Sequence, residues 1–83
     1  MKQTVYLKRA RKALASMPVN TARQVVSKIE QYAADPVGLS NNVAKLQGRE
    51  GHRLRVGEWR VIFRDDGVVL EIINVGPRGG VYD

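Results

Sequence analysis

Arginine dominates the one stretch of this chain whose residue types and spacing suit chemistry. In Gly51-His52-Arg53-Leu54-Arg55-Val56-Gly57-Glu58-Trp59-Arg60-Val61-Ile62-Phe63-Arg64, the apolar residues Leu54, Val56, Trp59, Val61 and Phe63 recur at strand period. Gly57-Glu58 suits a two-residue hairpin loop, with Gly at the first central position of a type II′ turn. Closing the hairpin there sets Val56 against Trp59, Arg55 against Arg60, Leu54 against Val61 and Arg53 against Ile62. Side chains alternate across a strand. The predicted hairpin therefore turns Leu54, Val56, Trp59 and Val61 toward a core and puts Arg53, Arg55, Arg60 and Arg64 on the other side. Like charges directly opposite in a sheet are unfavourable, by roughly 0.2–1 kcal/mol. A fold gains nothing from setting Arg55 against Arg60, so the pattern points to a polyanionic partner, and guanidinium forks match phosphate. Arg78, in the loop Gly76-Pro77-Arg78-Gly79-Gly80, and Tyr82 just beyond it extend the set, because loops commonly carry function.

Guanidiniums in this arrangement can hold a scissile phosphate and stabilise the charge that develops in phosphoryl transfer. In RNA the 2′-hydroxyl is a built-in nucleophile, so neither a metal nor a protein nucleophile is required. Arginine is a poor general base at its ordinary pKa, and another group must take the 2′-proton. Tyr82 can stack on a base or pass a proton. His52 is the only histidine. Strand parity puts it with Leu54 and Val56, so it is expected to be partly buried against the helices; a bulge at Gly51 would reverse that. No zinc pattern, P-loop or dinucleotide fingerprint is present, and no cofactor is expected. Ser16, Ser27 and Ser40 have no adjacent histidine with which to build a hydrolytic triad. The sparse acids do not pair as glycosidase or two-metal chemistry needs.

The elements that must position these residues follow from patterning. Leu7, Ala10, Leu14 and Met17 form one helical stripe, with Lys8, Arg9, Arg11 and Lys12 around the other side. Pro18 ends that helix. Asn20 or Thr21 can cap a second, which buries Ala22, Val25, Val26, Ile29 and Tyr32 and stops at Pro36. Met1 to Tyr6, with Thr4, Val5 and Tyr6, reads as an edge or central strand. Asp35 to Asn42 is a loop rich in turn formers, and Asp65-Asp66-Gly67 is a second turn. Val68 to Val75 is almost continuously apolar, as in a central strand covered on both faces. The predicted fold is α+β in the order β-α-α-β-β-β. It is a four-stranded, mainly antiparallel sheet with a helical hairpin on one face.

At 83 residues the chain is one small domain, residues 1–83. It lacks cysteine, so disulfides and thiolate metal sites are excluded and a reducing compartment fits. There is no apolar run of about 18 residues and no opening signal peptide. A cytoplasmic protein with no membrane partner is expected. A net charge of +6 and a pI near 10.2 favour nucleic-acid, acidic-protein or anionic-membrane partners. Aromatics are too few for serial base stacking.

Lys45-Leu46-x-Gly48, then Arg53-Leu54-Arg55-Val56-Gly57-Glu58-Trp59-Arg60-Val61-Ile62, then Val75-Gly76-x-Arg78 and Val81-Tyr82 resemble the RelE branch of the RelE/ParE bacterial toxins. The resemblance covers essentially the whole chain. It implies a RelE-like fold and a toxin that enters the ribosomal A site and cuts mRNA by attack of the 2′-hydroxyl on the adjacent phosphate. It also implies a cognate antitoxin that wraps the toxin in a heteromeric complex. By position, the family's catalytic groups fall on Arg53, Arg55, Arg60, Arg78 and Tyr82, and an RNA-binding surface of Lys45, Arg49, Arg53, Arg55 and Arg64 is expected. The chain departs from the pattern where some members have lysine at the first two catalytic positions, where a basic residue or histidine is common at Pro77, and where tyrosine is usual at His52. Three functions stand open: a ribosome-dependent mRNA endonuclease, a non-enzymatic inhibitor of DNA gyrase as in the ParE branch, and an inactive member that only binds its antitoxin.

Overall fold

Two prolines divide the helical half of the molecule. The structure, a computed structural model, describes residues 2–79. Helix α1 (Lys8–Ala15) ends at Ser16, whose hydroxyl donates to the Ala13 carbonyl at 2.8 Å. Helix α2 (Val19–Ala34) begins directly at Pro18, which occupies the N-cap position with φ −55°. The sequence placed that start at Asn20 or Thr21. Proline displaces it, because its fixed φ feeds a helix and its missing N–H is an orphan there in any case. Asp35 closes α2, and its carboxylate accepts a hydrogen bond from Gly38 N at 3.2 Å. The expected loop is in part a 3-10 helix (Val37–Asn42) that buries Leu39.

The sheet has five strands rather than four: β1 (Gln3–Tyr6), β2 (Val43–Lys45), β3 (His52–Val56), β4 (Trp59–Asp65) and β5 (Val69–Pro77), in the order β1-β5-β4-β3-β2. The additional strand is β2. Its three residues are too few to show a period, but Val43 pairs with Leu54 and packs against the core. β1 runs parallel to β5, and every other pairing is antiparallel.

One face of the sheet carries the core. Leu54, Val56, Val61, Phe63, Leu70, Ile72 and Val75 pack with Ala10 of α1 and with Val25, Ile29 and Tyr32 of α2. On β5 this needs a correction of parity. Phe63 pairs with Ile72 but Ile62 pairs with Asn74, so Ile73 is an extra residue, a β-bulge. The bulge lets Leu70, Ile72 and Val75 all face the helices. β5 is thus not the strand covered on both faces that its apolar run suggested, and Glu71 pairs with Arg64 on the opposite side. Lys2, Tyr32 and Asp65 join the two ends of the domain: Lys2 Nζ lies 3.3 Å from the Asp65 carboxylate, and the Tyr32 hydroxyl donates to it at 3.4 Å. Burial first, then the Asp65 charge and that hydrogen bond, push the Tyr32 hydroxyl above its ordinary pKa. No described helix is long and apolar enough to cross a membrane.

Candidate functional site

The hairpin closes as its sequence dictates. Gly57 adopts φ 59° at the turn, and Val56 pairs with Trp59, Arg55 with Arg60, Leu54 with Val61 and Arg53 with Ile62. Arg53, Arg55 and Arg60 therefore share the face turned away from the helices. Directly opposed residues place their Cβ atoms about 4.5–5.5 Å apart, so Arg55 and Arg60 stand side by side. Beyond Arg60 on the next strand is Gly76, which contributes no side chain between them and the sheet edge.

These three arginines line one groove of about 190 Å³, closed on its far side by Asn41, Asn42, Val43 and Ala44. Arg53 and Arg55 are exposed, and among the described residues neither has an ion-pair partner. Arg60 is partly buried. Its Nη1 donates to the carbonyls of Gly57 and Trp59, both at 2.9 Å. Arg78 belongs to the same end of the sheet. Pro77 pairs with Trp59, and the Arg78 amide donates to the Glu58 carbonyl at 2.7 Å, which pins the loop after β5 against the hairpin turn. The Arg78 side chain is exposed there.

Three residues expected in an RNA-binding surface are arranged differently. Arg64 shares the arginine face, but its Nη2 is ion-paired with Glu71 and its Nε donates to the same carboxylate at 2.9 Å. Lys45 pairs with His52, whereas Ala44 pairs with Arg53, so Lys45 points from the opposite face of β2. Arg49 lies in the loop closed by the Leu46 N to Gly51 O hydrogen bond, at the far end of β3 from the turn. Tyr82 lies outside the described residues.

His52 falls where parity put it. It pairs with Phe63 on the helix-facing side and stacks on that ring, with centroids 5.5 Å apart and planes at 21°. Its Nδ1 is buried without a hydrogen-bond partner among the described residues. Asn41 and Asn42 are groove residues that the sequence left unmarked. They read as turn formers, and their place beside the arginines depends on the 3-10 helix and β2 together. Their amides can donate to or accept from a sugar–phosphate backbone. A larger cleft of about 640 Å³ lies on the helix side between α2 and the hairpin, lined by Arg23, Lys28 and Trp59 among others. It contains none of the three clustered arginines. The groove concentrates cationic donors without cancelling them, and such a surface binds a phosphodiester and stabilises charge that builds on it.

A family model described as the ParE toxin of the type II toxin-antitoxin system, parDE, matches residues 5–82. Among solved structures, the chain is similar to a chain of the archaeal RelE-RelB complex from Pyrococcus horikoshii OT3. That match has 28% identity, covers 96% of this chain and 98% of that one, and has a TM-score of 0.76. It is also similar to chains of the toxin-antitoxin complex RelBE2 from Mycobacterium tuberculosis (21% identity, 93% and 98% covered, TM-score 0.78) and of the intact E. coli RelBE complex (23% identity, 93% and 96% covered, TM-score 0.69). At those two identities the likeness speaks to the fold alone. Curated protein sequences yield no match.

Proposed function

The chain belongs to the ParE toxin family, within the RelE/ParE superfamily of type II toxin-antitoxin systems, and from that premise we propose that it is a ribosome-dependent mRNA endonuclease. The observation that carries the reading is the opposed pair Arg55 and Arg60, which shares a groove with Arg53 at a cost to the sheet. A surface that only bound another protein has no evident need for that convergence. In this mechanism Arg53, Arg55 and Arg60 grip the phosphate that follows the target nucleotide. The 2′-hydroxyl of that nucleotide loses its proton and attacks the phosphorus, and the guanidiniums stabilise the charge on the pentacoordinate phosphorane. The bond to the 5′-oxygen breaks, that oxygen takes up a proton, and a 2′,3′-cyclic phosphate is left. Arg78, docked at the turn, adds a fourth cation. Tyr82 stacks on a base or passes a proton. The partners of this reading are the ribosome, its mRNA and a cognate antitoxin that blocks the arginine face.

Single-turnover cutting of mRNA on programmed ribosomes tests it, with each variant first shown to be folded. Arg60→Ala and Arg78→Ala should each slow cleavage roughly a hundredfold, since one transition-state donor contributes on the order of 3 kcal/mol. Tyr82→Phe separates its roles, because stacking survives and proton transfer does not. Full activity in Arg60→Ala, together with a dead His52→Gln, would point to a histidine-centred mechanism instead. A second reading, inhibition of DNA gyrase without catalysis, draws support from the name of the matching family model. Induction that triggers DNA-damage signalling with no cuts inside translated frames would favour it.

A further inference from the structure

We propose that Gly57 is a positioning residue for Arg60. Its left-handed backbone turns a carbonyl onto Arg60 Nη1, which leaves the Nε and Nη2 edge of the guanidinium aimed at a phosphate in the groove. That role rests on the reading of the groove as a phosphodiester site. Arg60 Nη1 donates to Gly57 O and Trp59 O, each at 2.9 Å. Those two bonds use the donors of Nη1 and leave the three on Nε and Nη2. These form a planar fork that matches two phosphate oxygens.

The nature of the acceptors matters as much as their position. Two residues along the same face, Arg64 is held by the Glu71 carboxylate, which cancels its charge. Arg60 is held by neutral carbonyls, so it is fixed in place with its charge intact. The anchor also opposes repulsion from Arg55 directly across the strand pair. A guanidinium immobilised before substrate arrives loses less freedom on binding it.

The anchor depends on the turn. Gly57 sits at φ 59°, a conformation that glycine adopts freely, asparagine tolerates and alanine disfavours. A Cβ built at Gly57 meets no atom within 4 Å. Substitution there perturbs the backbone conformation without a clash, so Gly57→Ala and Gly57→Asn form a matched pair.

The experiment uses the full chain with 15N-labelled arginine. In the wild type, Arg60 Nη signals should be resolved because the anchored group rotates slowly, and inorganic phosphate should shift Arg60 Nε. Gly57→Asn should preserve both effects. Gly57→Ala should collapse the Nη signals and abolish most of the phosphate response. In single-turnover cutting on ribosomes, Gly57→Ala should lower the cleavage rate constant about tenfold with ribosome affinity within about threefold, and Gly57→Asn should restore the rate. Freely rotating Arg60 signals in the wild type would overturn the assignment. So would a Gly57→Ala variant that frees Arg60 yet binds phosphate as the wild type does. A wild-type chain that cuts no mRNA would sink the endonuclease reading alone, because the phosphate titration still decides the role of Gly57. If Gly57→Ala fails to fold, the wild-type signals decide: slow rotation with a phosphate shift at Nε supports positioning, and either one missing rejects it.

Discussion

Arg53, Arg55 and Arg64 lie on the same face of one sheet, yet their neighbours leave them unequal charge to offer. Hydrogen bonding to Glu71, then its coulombic attraction, raises the Arg64 pKa above the ordinary arginine value, and a phosphate arriving there must displace a carboxylate. Arg53 and Arg55 face no such competitor among the described residues. Counterion release distinguishes these cases, since each lost contact to single-stranded RNA should flatten the slope of log K against log salt by about 0.7. Arg53→Ala and Arg55→Ala are expected to do so, and Arg64→Ala is expected to leave the slope nearly unchanged. Titrating a short single-stranded RNA at several salt concentrations measures all three, and a full flattening in Arg64→Ala would contradict the assignment. The contrast shows where sequence reading stops. Period two fixed which arginines share a face, because parity needs only one strand. The loss of Arg64 to Glu71 could not be read, because it depends on the alignment of a different strand. His52 was legible for the first reason: its parity puts it on Phe63, and His52→Gln should leave cleavage within a few-fold of wild type.

Among the elements, the β3–β4 hairpin was legible down to its register because a two-residue loop admits one pairing. β2 was not, because three residues carry no period and the strand exists through its pairing with β3. The bulge at Ile73 was also hidden: the run from Val68 to Val75 is apolar at all but Glu71 and Asn74, too few polar positions to establish a parity. The turn between β4 and β5 is the element whose chemistry is most open to test. The Asp66 carboxylate accepts hydrogen bonds from Val69 N at 2.7 Å and Val68 N at 2.9 Å, and these, Val69 first, hold its pKa below the usual carboxylate value. The folded state therefore binds this proton less readily than the unfolded chain does. The turn's contribution is complete above the unfolded pKa, near 4, and is lost as pH falls through the lower folded value. Asp66→Asn removes the titration while keeping an acceptor oxygen. Urea midpoints of the two proteins should differ near neutral pH and converge as pH falls below about 4. A gap that stayed constant on acidification would show that the carboxylate charge plays no part in the turn.

At the scale of the whole molecule, a small core carries a large cationic face. Domains of this size have about 4–12 kcal/mol of total stability. Phe63 is 1% exposed and sits between Tyr32, at 5.0 Å between centroids, and His52. Phe63→Ala should cost roughly 3–5 kcal/mol, a large share of that margin. A net charge of +6 concentrated partly on the arginine face adds self-repulsion, which an acidic antitoxin segment laid across the groove would relieve. Such a partner binds the folded chain and not the unfolded one, so it stabilises by mass action. At a hundred times its Kd the gain is about 2.7 kcal/mol, equivalent to roughly 10–20 °C in Tm for a domain this small. The wild-type Tm should therefore rise by that amount when the cognate antitoxin is in excess, and the rise should shrink as salt screens the encounter. Phe63→Ala, poorly folded alone, should regain cooperative melting in the complex. The arginine face itself is tested by Arg53→Glu combined with Arg55→Glu, which should leave the free Tm within a few degrees and abolish most of the antitoxin-induced rise. An unchanged wild-type Tm at saturating antitoxin would remove the partner from this account. A full rise in the charge-reversed variant would move the partner to another face of the domain.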